Sequence, residues 1–398
     1  MKKFFKSDAL FIGLAMFSMF FGAGNIIYPL AVGQYAGDKN LFAMFGLILT
    51  AAILPILGVI GMILFQGNYR DFFGRLGRVP GLLLSLATIS LLGPLGSTPR
   101  CIALSFTTLK SSLPYLSLTS FSAISCLIIL LCTLKKQYIL ALLGRILTPF
   151  LLFSLILIIV IGLIIAKEAE SGSNGGLHMF LHGLYEGYNT MDLLASFFIS
   201  STIIGILRAR ALETEADKTG YLTIAYQASL VAACLLAAIY VGFSYIASFH
   251  ASDLTLHAKD ALLAGITMKI AGPYAGVLVC VAIALACLTT AIALISAFAD
   301  FMQKEIFKET VSYEIILTGG VLLTFFVSTF EFNGISAFLW PILQIFYPGL
   351  IVLTLLNIAY KLWGFKPIKL PVFLIFATSL ALYLMHIFSS SGNNLGIS

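Results

Sequence analysis

Charge is what this sequence has least of. Only 10% of its 398 residues are Asp, Glu, Lys or Arg. A soluble domain carries about 25%, and a water-exposed surface cannot be covered with so few. Catalytic motifs are missing too. There is no GxSxG elbow and no Walker-type lysine motif, which leaves hydrolase and ATPase readings without support. No two of the six cysteines (Cys101, Cys126, Cys132, Cys234, Cys280 and Cys287) form a CxxC pair, and all lie in hydrophobic runs. They read as packing thiols rather than disulfide partners or metal ligands. His178 and His182 stand four residues apart, as metal pairs can, but no HExxH and no further ligand cluster accompanies them. The formal charge of +6 is spread over short loops, so no nucleic-acid partner is expected.

Long apolar runs are what the chain has instead. Hydrophobic residues make up 60% of it. A membrane-crossing helix needs ~20 mostly apolar residues, and stretches such as 140–166 and 275–301 supply them. A barrel would show alternating segments of ~10 residues, not continuous runs. The runs predict an all-α polytopic membrane protein set in lipid, a single transmembrane domain over 1–398. The expected spans are 8–34, 41–66, 81–109, 117–134, 139–166, 188–207, 221–249, 272–303, 312–330, 334–346, 348–363 and 369–388. The tenth is short and carries Pro341, so the count is eleven or twelve. Lys2, Lys3 and Lys6 precede a run that continues to about Val32, too far for a signal peptide, and an uncleaved first helix is expected.

Cytoplasmic loops carry the excess of Lys and Arg. With the N-terminus in the cytoplasm, the inside loops hold Arg70, Arg75 and Arg78; Lys135 and Lys136; Arg208, Arg210 and Lys218; Lys304 and Lys308. The outside ones hold Lys39, Lys110 and Lys167, then Lys259 with Lys269. The pattern breaks near the end, because twelve helices would put Lys361, Lys366 and Lys369 outside. The polar, Gly- and Ser-rich segment 167–188 reads as an outside loop.

Four segments interrupt the apolar runs. In the first helix, FGAGNIIYP at 21–29 places two glycines, an amide and a proline where a helix should be regular. Either this is a packing notch with a kink, or it is an unwound segment. Unwound backbone is tolerated at membrane depth only inside protein or against a cavity. There its free N–H groups meet an anion and its carbonyls a cation. In the eighth helix, Thr289 and Thr290 with the carbonyl of Ala286 could converge on a small hard cation, or could bond back to their own turn. In the third, GPLGSTPR at 93–100 ends on Arg100, deep in apolar sequence. It either lines a cavity opposite a partner or snorkels to the interface. In EGYNTMD at 186–192, Asp192 either complements a helix N-terminus, pairs with Arg100 or lies near a substrate amine.

These four segments, with ACLTTAIALISAFADF at 286–301 for the eighth helix, make the chain resemble the branched-chain amino acid:cation symporters of the BrnQ type. The likeness covers nearly its whole length. The resemblance implies sodium-driven uptake of leucine, isoleucine and valine into a bacterial cell through the inner membrane, with sodium as coupling ion and no other cofactor. It implies membership of the amino acid–polyamine–organocation superfamily and about twelve helices. Their core would be a 5+5 inverted repeat of the LeuT type with helices 1 and 6 broken. The repeats would be 8–166 and 188–346, with two additional helices in 348–388. Matched to the broken first helix of related sodium-coupled carriers, Gly22, Ala23, Gly24 and Asn25 fall at the substrate, with the Ala23 and Gly24 amides on its carboxylate. The carbonyls of Ser18 and Phe21 fall at sodium beside Ala286, Thr289 and Thr290. The sixth-helix wall falls near Tyr188, Thr190 and Asp192, with Arg100 also a substrate-binding candidate. Ser200 and Ser201 stand where a glycine is expected, which leaves the break in helix 6 unplaced. Gly13, in the regular part of the first helix, is expected to tolerate alanine.

Two other classes are weaker. A channel needs a hydrophilic lining or a ring of like charges, and the helices offer few polar residues. An intramembrane enzyme needs a catalytic cluster, and none is visible. Among carriers, the alternative is proton coupling to another small amino acid or amine through Asp192.

Overall fold

With no water to satisfy them, backbone groups in lipid must pair within their own segment, and the apolar runs become helices. The computed structural model describes residues 2–110, 115–134, 148–166, 169, 175–213, 220–251 and 259–393. Lys135, Lys136, Lys167, Lys218 and residues 139–147 of the fifth expected span lie outside them. The first crossing is two half-helices, α1 (Lys2–Phe20) and α2 (Ala23–Ala36). The second is α3 (Asn40–Ile48) and α4 (Leu54–Leu64), joined by a π-helical turn at Leu49–Ile53. A short α5 (Tyr69–Gly74) leads to the third, α6 (Arg78–Leu92) and α7 (Ser97–Lys110), separated by a turn at 93–96. Then come α8 (Leu118–Thr133), α9 (Thr148–Ile164), α10 (Gly176–Tyr188), α11 (Asp192–Glu213) and α12 (Gly220–Phe249). The chain closes with α13 (Leu262–Phe301), α14 (Tyr313–Ser328), α15 (Glu331–Trp363) and α16 (Lys369–Asn393).

Three expectations are corrected. The Gly- and Ser-rich segment before Tyr188 is not simply a loop: its second half is α10, the first half of the sixth crossing. The break in that crossing therefore falls at 189–191, and Ser200 and Ser201 sit inside continuous α11. The expected tenth and eleventh spans are one helix, α15, with Pro341 and Pro348 inside it. The proposed boundary between 346 and 348 thus falls within a helix. Proline removes a donor and kinks a helix without necessarily ending it when neighbours pack around the bend. Fusing these spans leaves eleven crossings among the described residues and resolves the charge anomaly. Arg75 Nη2 donates to the carbonyl of Lys366 at 3.0 Å, and Arg70 forms an ion pair with Glu305 at 2.8 Å. The loops around 70, 305 and 366 thus share one end of the molecule.

The crossings pack in two groups. In one, α1 and α2 lie on α12, α10 on α3, and α11 on α4. In the other, α7 lies on α13, and α8 packs with α13 and α14. Glycine sets the tightness of the first group. A Cβ on Gly183 would overlap the carbonyl of Ala43, and one on Gly33 the carbonyl of Ser244. Of the cysteines, Cys101, Cys126, Cys280 and Cys287 are buried, Cys132 is half-buried and Cys234 exposed, all as free thiols.

Candidate functional site

Among the interrupted crossings, the breaks of the first and the sixth meet. In the first, α1 ends at Phe20 and Gly22 caps α2 in extended conformation, with φ −116°. The Gly22 amide donates to Asn25 Oδ1 at 3.0 Å, an N-cap built from inside the new helix. In the sixth, the chain turns through Asn189–Met191, with Met191 at φ +65°, a left-handed conformation that costs a non-glycine residue about 1–2 kcal/mol. A Cβ on Gly24 would lie 3.0 Å from the Asn189 carbonyl and 3.0 Å from Thr190 Cα. The absence of a side chain at 24 is what lets the two breaks touch.

Breaking α1 frees carbonyls, and α13 meets them with hydroxyls. Thr290 Oγ1 donates to the carbonyls of Ser18 at 3.0 Å and Phe21 at 2.9 Å. Thr289 Oγ1 lies 2.7 Å from the Ala286 carbonyl and 3.5 Å from that of Ser18. The Ser18 hydroxyl, which sequence reasoning passed over, reaches Thr289 Oγ1 at 3.2 Å. Three carbonyls and three hydroxyls from two crossings thus gather in one buried cluster. It joins all five residues expected at the cation, Ser18, Phe21, Ala286, Thr289 and Thr290. Beside it, a Cβ on Gly22 would stand 3.0 Å from Thr290 Cγ2 and 3.3 Å from the Cys101 sulfur.

The substrate-side candidates separate into two. Asn25 Nδ2 donates to both carboxylate oxygens of Asp192, at 2.8 and 2.7 Å. The Tyr240 hydroxyl donates to Asp192 Oδ2 at 2.7 Å and also contacts Asn25 Nδ2. Asp192 opens α11 and Asn25 stands in the first turn of α2, so this pairing holds the two half-helix starts together. Tyr240 lies on α12 in a run that reads as plain apolar span, with no signal to single it out. Asn25→Asp would set a second carboxylate against Asp192 in a buried site and remove the bridging donor. We expect a purified variant that melts several degrees lower, since an unpaired buried charge costs a few kcal/mol. An unchanged thermal transition would show that this junction contributes nothing to stability.

Arg100 does not pair with Asp192, and no carboxylate of the described residues lies within ion-pair distance of it. It stands in the first turn of α7, buried to 2% exposure, which excludes snorkelling. Its Nη2 donates to the Asn189 carbonyl at 2.9 Å, and Nη1 lies 3.5 Å from the Met191 sulfur. The rings of Tyr28 and Phe332 each lie 5.2 Å from the guanidinium carbon. Tyr188, the last residue of α10, stacks on Tyr347 with ring centres 4.5 Å apart. The Thr190 hydroxyl turns back to the Gly187 carbonyl at 2.9 Å. Outside this centre, His182 packs on Tyr35 with ring centres 4.4 Å apart. The described residues contain no group of three metal-ligating side chains. A cavity of about 990 Å³ lies elsewhere, at the end where Arg70, Arg75 and Glu305 gather.

Comparison with known proteins gives this geometry a context. A family model described as branched-chain amino acid transport protein matches residues 5–394. The branched-chain amino acid permease BraB of Bacillus subtilis is 30% identical over 375 residues, covering 89% of this chain and 81% of that one. Among solved structures, a sodium-coupled sialic acid symporter in a substrate-bound outward-open state aligns with TM-score 0.62 at 10% identity. It covers 94% of this chain and 88% of the other. A manganese transporter of Eremococcus coleocola aligns with TM-score 0.63 at 13% identity, covering 99% and 89%. At such identities the likeness is one of fold: an all-α transporter fold.

Proposed function

Because the chain belongs to the branched-chain amino acid transport protein family, we propose that it is a sodium-coupled symporter importing leucine, isoleucine and valine by alternating access. The observation that carries the coupling is the oxygen cluster between the α1 break and α13. A small hard cation prefers oxygen ligands, and carbonyls freed by unwinding, backed by two threonine hydroxyls, are the donor set that such a site needs. Sodium held there stabilises the open backbone between Phe21 and Gly24, which in turn offers the Ala23 and Gly24 amides to a carboxylate. The apolar side chain of leucine or valine gains about 1.5–3 kcal/mol on burial, and the rings of Tyr28, Tyr188, Phe332 and Tyr347 surround the junction with suitable surface. Charged amino acids are refused by their desolvation cost. Rocking one group of helices against the other then exposes the site to each side in turn. The gathering of Arg70, Arg75, Arg78, Lys361 and Lys366 at one end supports a cytoplasmic position for that end, and for the start of α1, in a bacterial inner membrane.

Labelled leucine uptake into proteoliposomes tests this reading. An inward sodium gradient should raise initial uptake at least about tenfold over a choline gradient at equal pH. The competing reading is a proton carried on Asp192, the buried carboxylate held by Asn25 and Tyr240. Uptake driven equally well by a pH gradient without sodium would overturn sodium coupling in favour of the proton.

A further inference from the structure

Arg100 is the largest of the fully buried side chains, and its hydrogen bonding is incomplete. A guanidinium has five N–H donors and no acceptor. Here one edge is spent on the Asn189 carbonyl and a thioether sulfur, a weak acceptor, while Nε, itself buried, has no partner. A permanent cation at membrane depth without an anion is among the costliest arrangements a helical membrane protein can hold. The nearest acid by function, Asp192, has already been taken by Asn25 and Tyr240. The guanidinium also stands against the junction of the two breaks: a Cβ on Gly24 would lie 3.2 Å from Arg100 Nη2. It therefore adjoins the N-terminus of α2, whose first amides have no intrahelical acceptor.

We propose that Arg100 is the ligand for the α-carboxylate of the transported amino acid, which docks on the free Nε edge together with the α2 amides. Resting on the transport reading above, this names the group that makes the carrier select α-amino acids over other solutes with the same hydrocarbon tail. The substrate supplies an anion within ion-pair distance of Arg100, where none of the described carboxylates stands. An empty carrier retains a partly unpaired cation, and a loaded one has it paired in two parallel hydrogen bonds. A lysine offers a point charge and no flat edge, so it is an incomplete substitute.

The test compares leucine with leucinamide, which keeps the side chain and amine but has no carboxylate. Equilibrium binding to purified protein is measured at saturating sodium. The wild type should bind leucine at least about 30-fold more tightly than leucinamide, the loss expected when a buried charge pair is deprived of one partner. In Arg100→Gln the gap should shrink to about threefold or less, with leucinamide affinity unchanged. Arg100→Lys should fall between. Should Arg100→Gln fail to fold, the wild type still decides, because equal affinity for leucine and leucinamide overturns the assignment without any variant. Loss of both ligands in parallel in a folded Arg100→Gln would also overturn it and leave Arg100 a structural residue. Leucine binding that ignores sodium would defeat the coupling proposed above while leaving this assignment standing. A wild type that binds no branched-chain amino acid would defeat both.

Discussion

Thr290→Ala should raise the sodium concentration for half-maximal leucine uptake by about tenfold or more, and Thr289→Ala by somewhat less. The ranking comes from geometry. Thr290 Oγ1 reaches two carbonyls of the α1 break, those of Ser18 and Phe21, whereas Thr289 Oγ1 is closest to the Ala286 carbonyl of its own helix. Each hydroxyl lost removes one oxygen from the cluster, and an interaction with a charged group contributes about 1.5–3 kcal/mol, with each 1.4 kcal/mol worth a factor of ten. Helix propensity favours alanine, so α13 itself is spared. Uptake measured across a sodium series gives the answer. If both variants keep the wild-type sodium dependence, the cluster is a packing device and the cation binds elsewhere. Thr290→Ser retains the hydroxyl and should restore most of the affinity.

Gly24→Val should abolish leucine binding, lowering affinity beyond about 100-fold. The position is closed on three sides. A Cβ there meets the Asn189 carbonyl, Thr190 Cα and Arg100 Nη2 at 3.0 to 3.2 Å, and two of these three are backbone that cannot swing aside. A branched side chain would also stiffen the first turn of α2 and occupy the space beside the amides that a carboxylate would use. Equilibrium binding on purified protein separates this from a defect in movement. Gly205→Ala in α11 is the fit control, because nothing lies within 4 Å of a Cβ there. Normal leucine binding by Gly24→Val would place the substrate away from the junction. Gly13, by contrast, is no neutral site. A Cβ on it would stand 2.7 Å from Val231 Cβ and 2.9 Å from the Ala228 carbonyl, so the tolerance expected from its position in a regular helix does not follow from the packing.

How far the sequence could be read depended on whether a feature announces itself in composition. The first break was legible because glycines, an amide and a proline inside an apolar run contradict a continuous helix. The spacing of Ala286, Thr289 and Thr290 was legible because residues three and four apart share a helical face. The sixth break went unplaced for a physical reason. Hydropathy registers contact with lipid, whereas α10 is packed against α3 through Gly183 and carries buried Glu186 and Gly187, so its polar and small residues read as loop. Glu186 is held by its neighbour Asn189 through Nδ2 at 3.0 Å and by Lys259 at 3.0 Å, the latter 73 residues away and outside any local window. The partnership of Asp192 was illegible for the same reason: Asn25 and Tyr240 are 167 and 48 residues away. Charge complementarity pointed to Arg100, but the closer donors prevailed. The fusion of α15 was hidden by Pro341 and Pro348, since proline marks a bend and a stop with the same letter.

The two residues that separate the Phe21 carbonyl from the Gly24 amide, Gly22 and Ala23, carry a thermodynamic obligation. One rigid stretch of backbone faces the oxygen cluster with its carbonyl and the second break with its amide, so whatever shape suits one occupant is the shape presented to the other. For the symport proposed above, linkage then requires reciprocity: the factor by which sodium tightens leucine must equal the factor by which leucine tightens sodium. A substitution at Gly22, which touches Thr290 on one side and starts α2 on the other, acts on that shared factor rather than on either affinity alone. Two titrations, each ligand measured with and without the other, should therefore return a single number, and a change at Gly22 should move both by the same ratio.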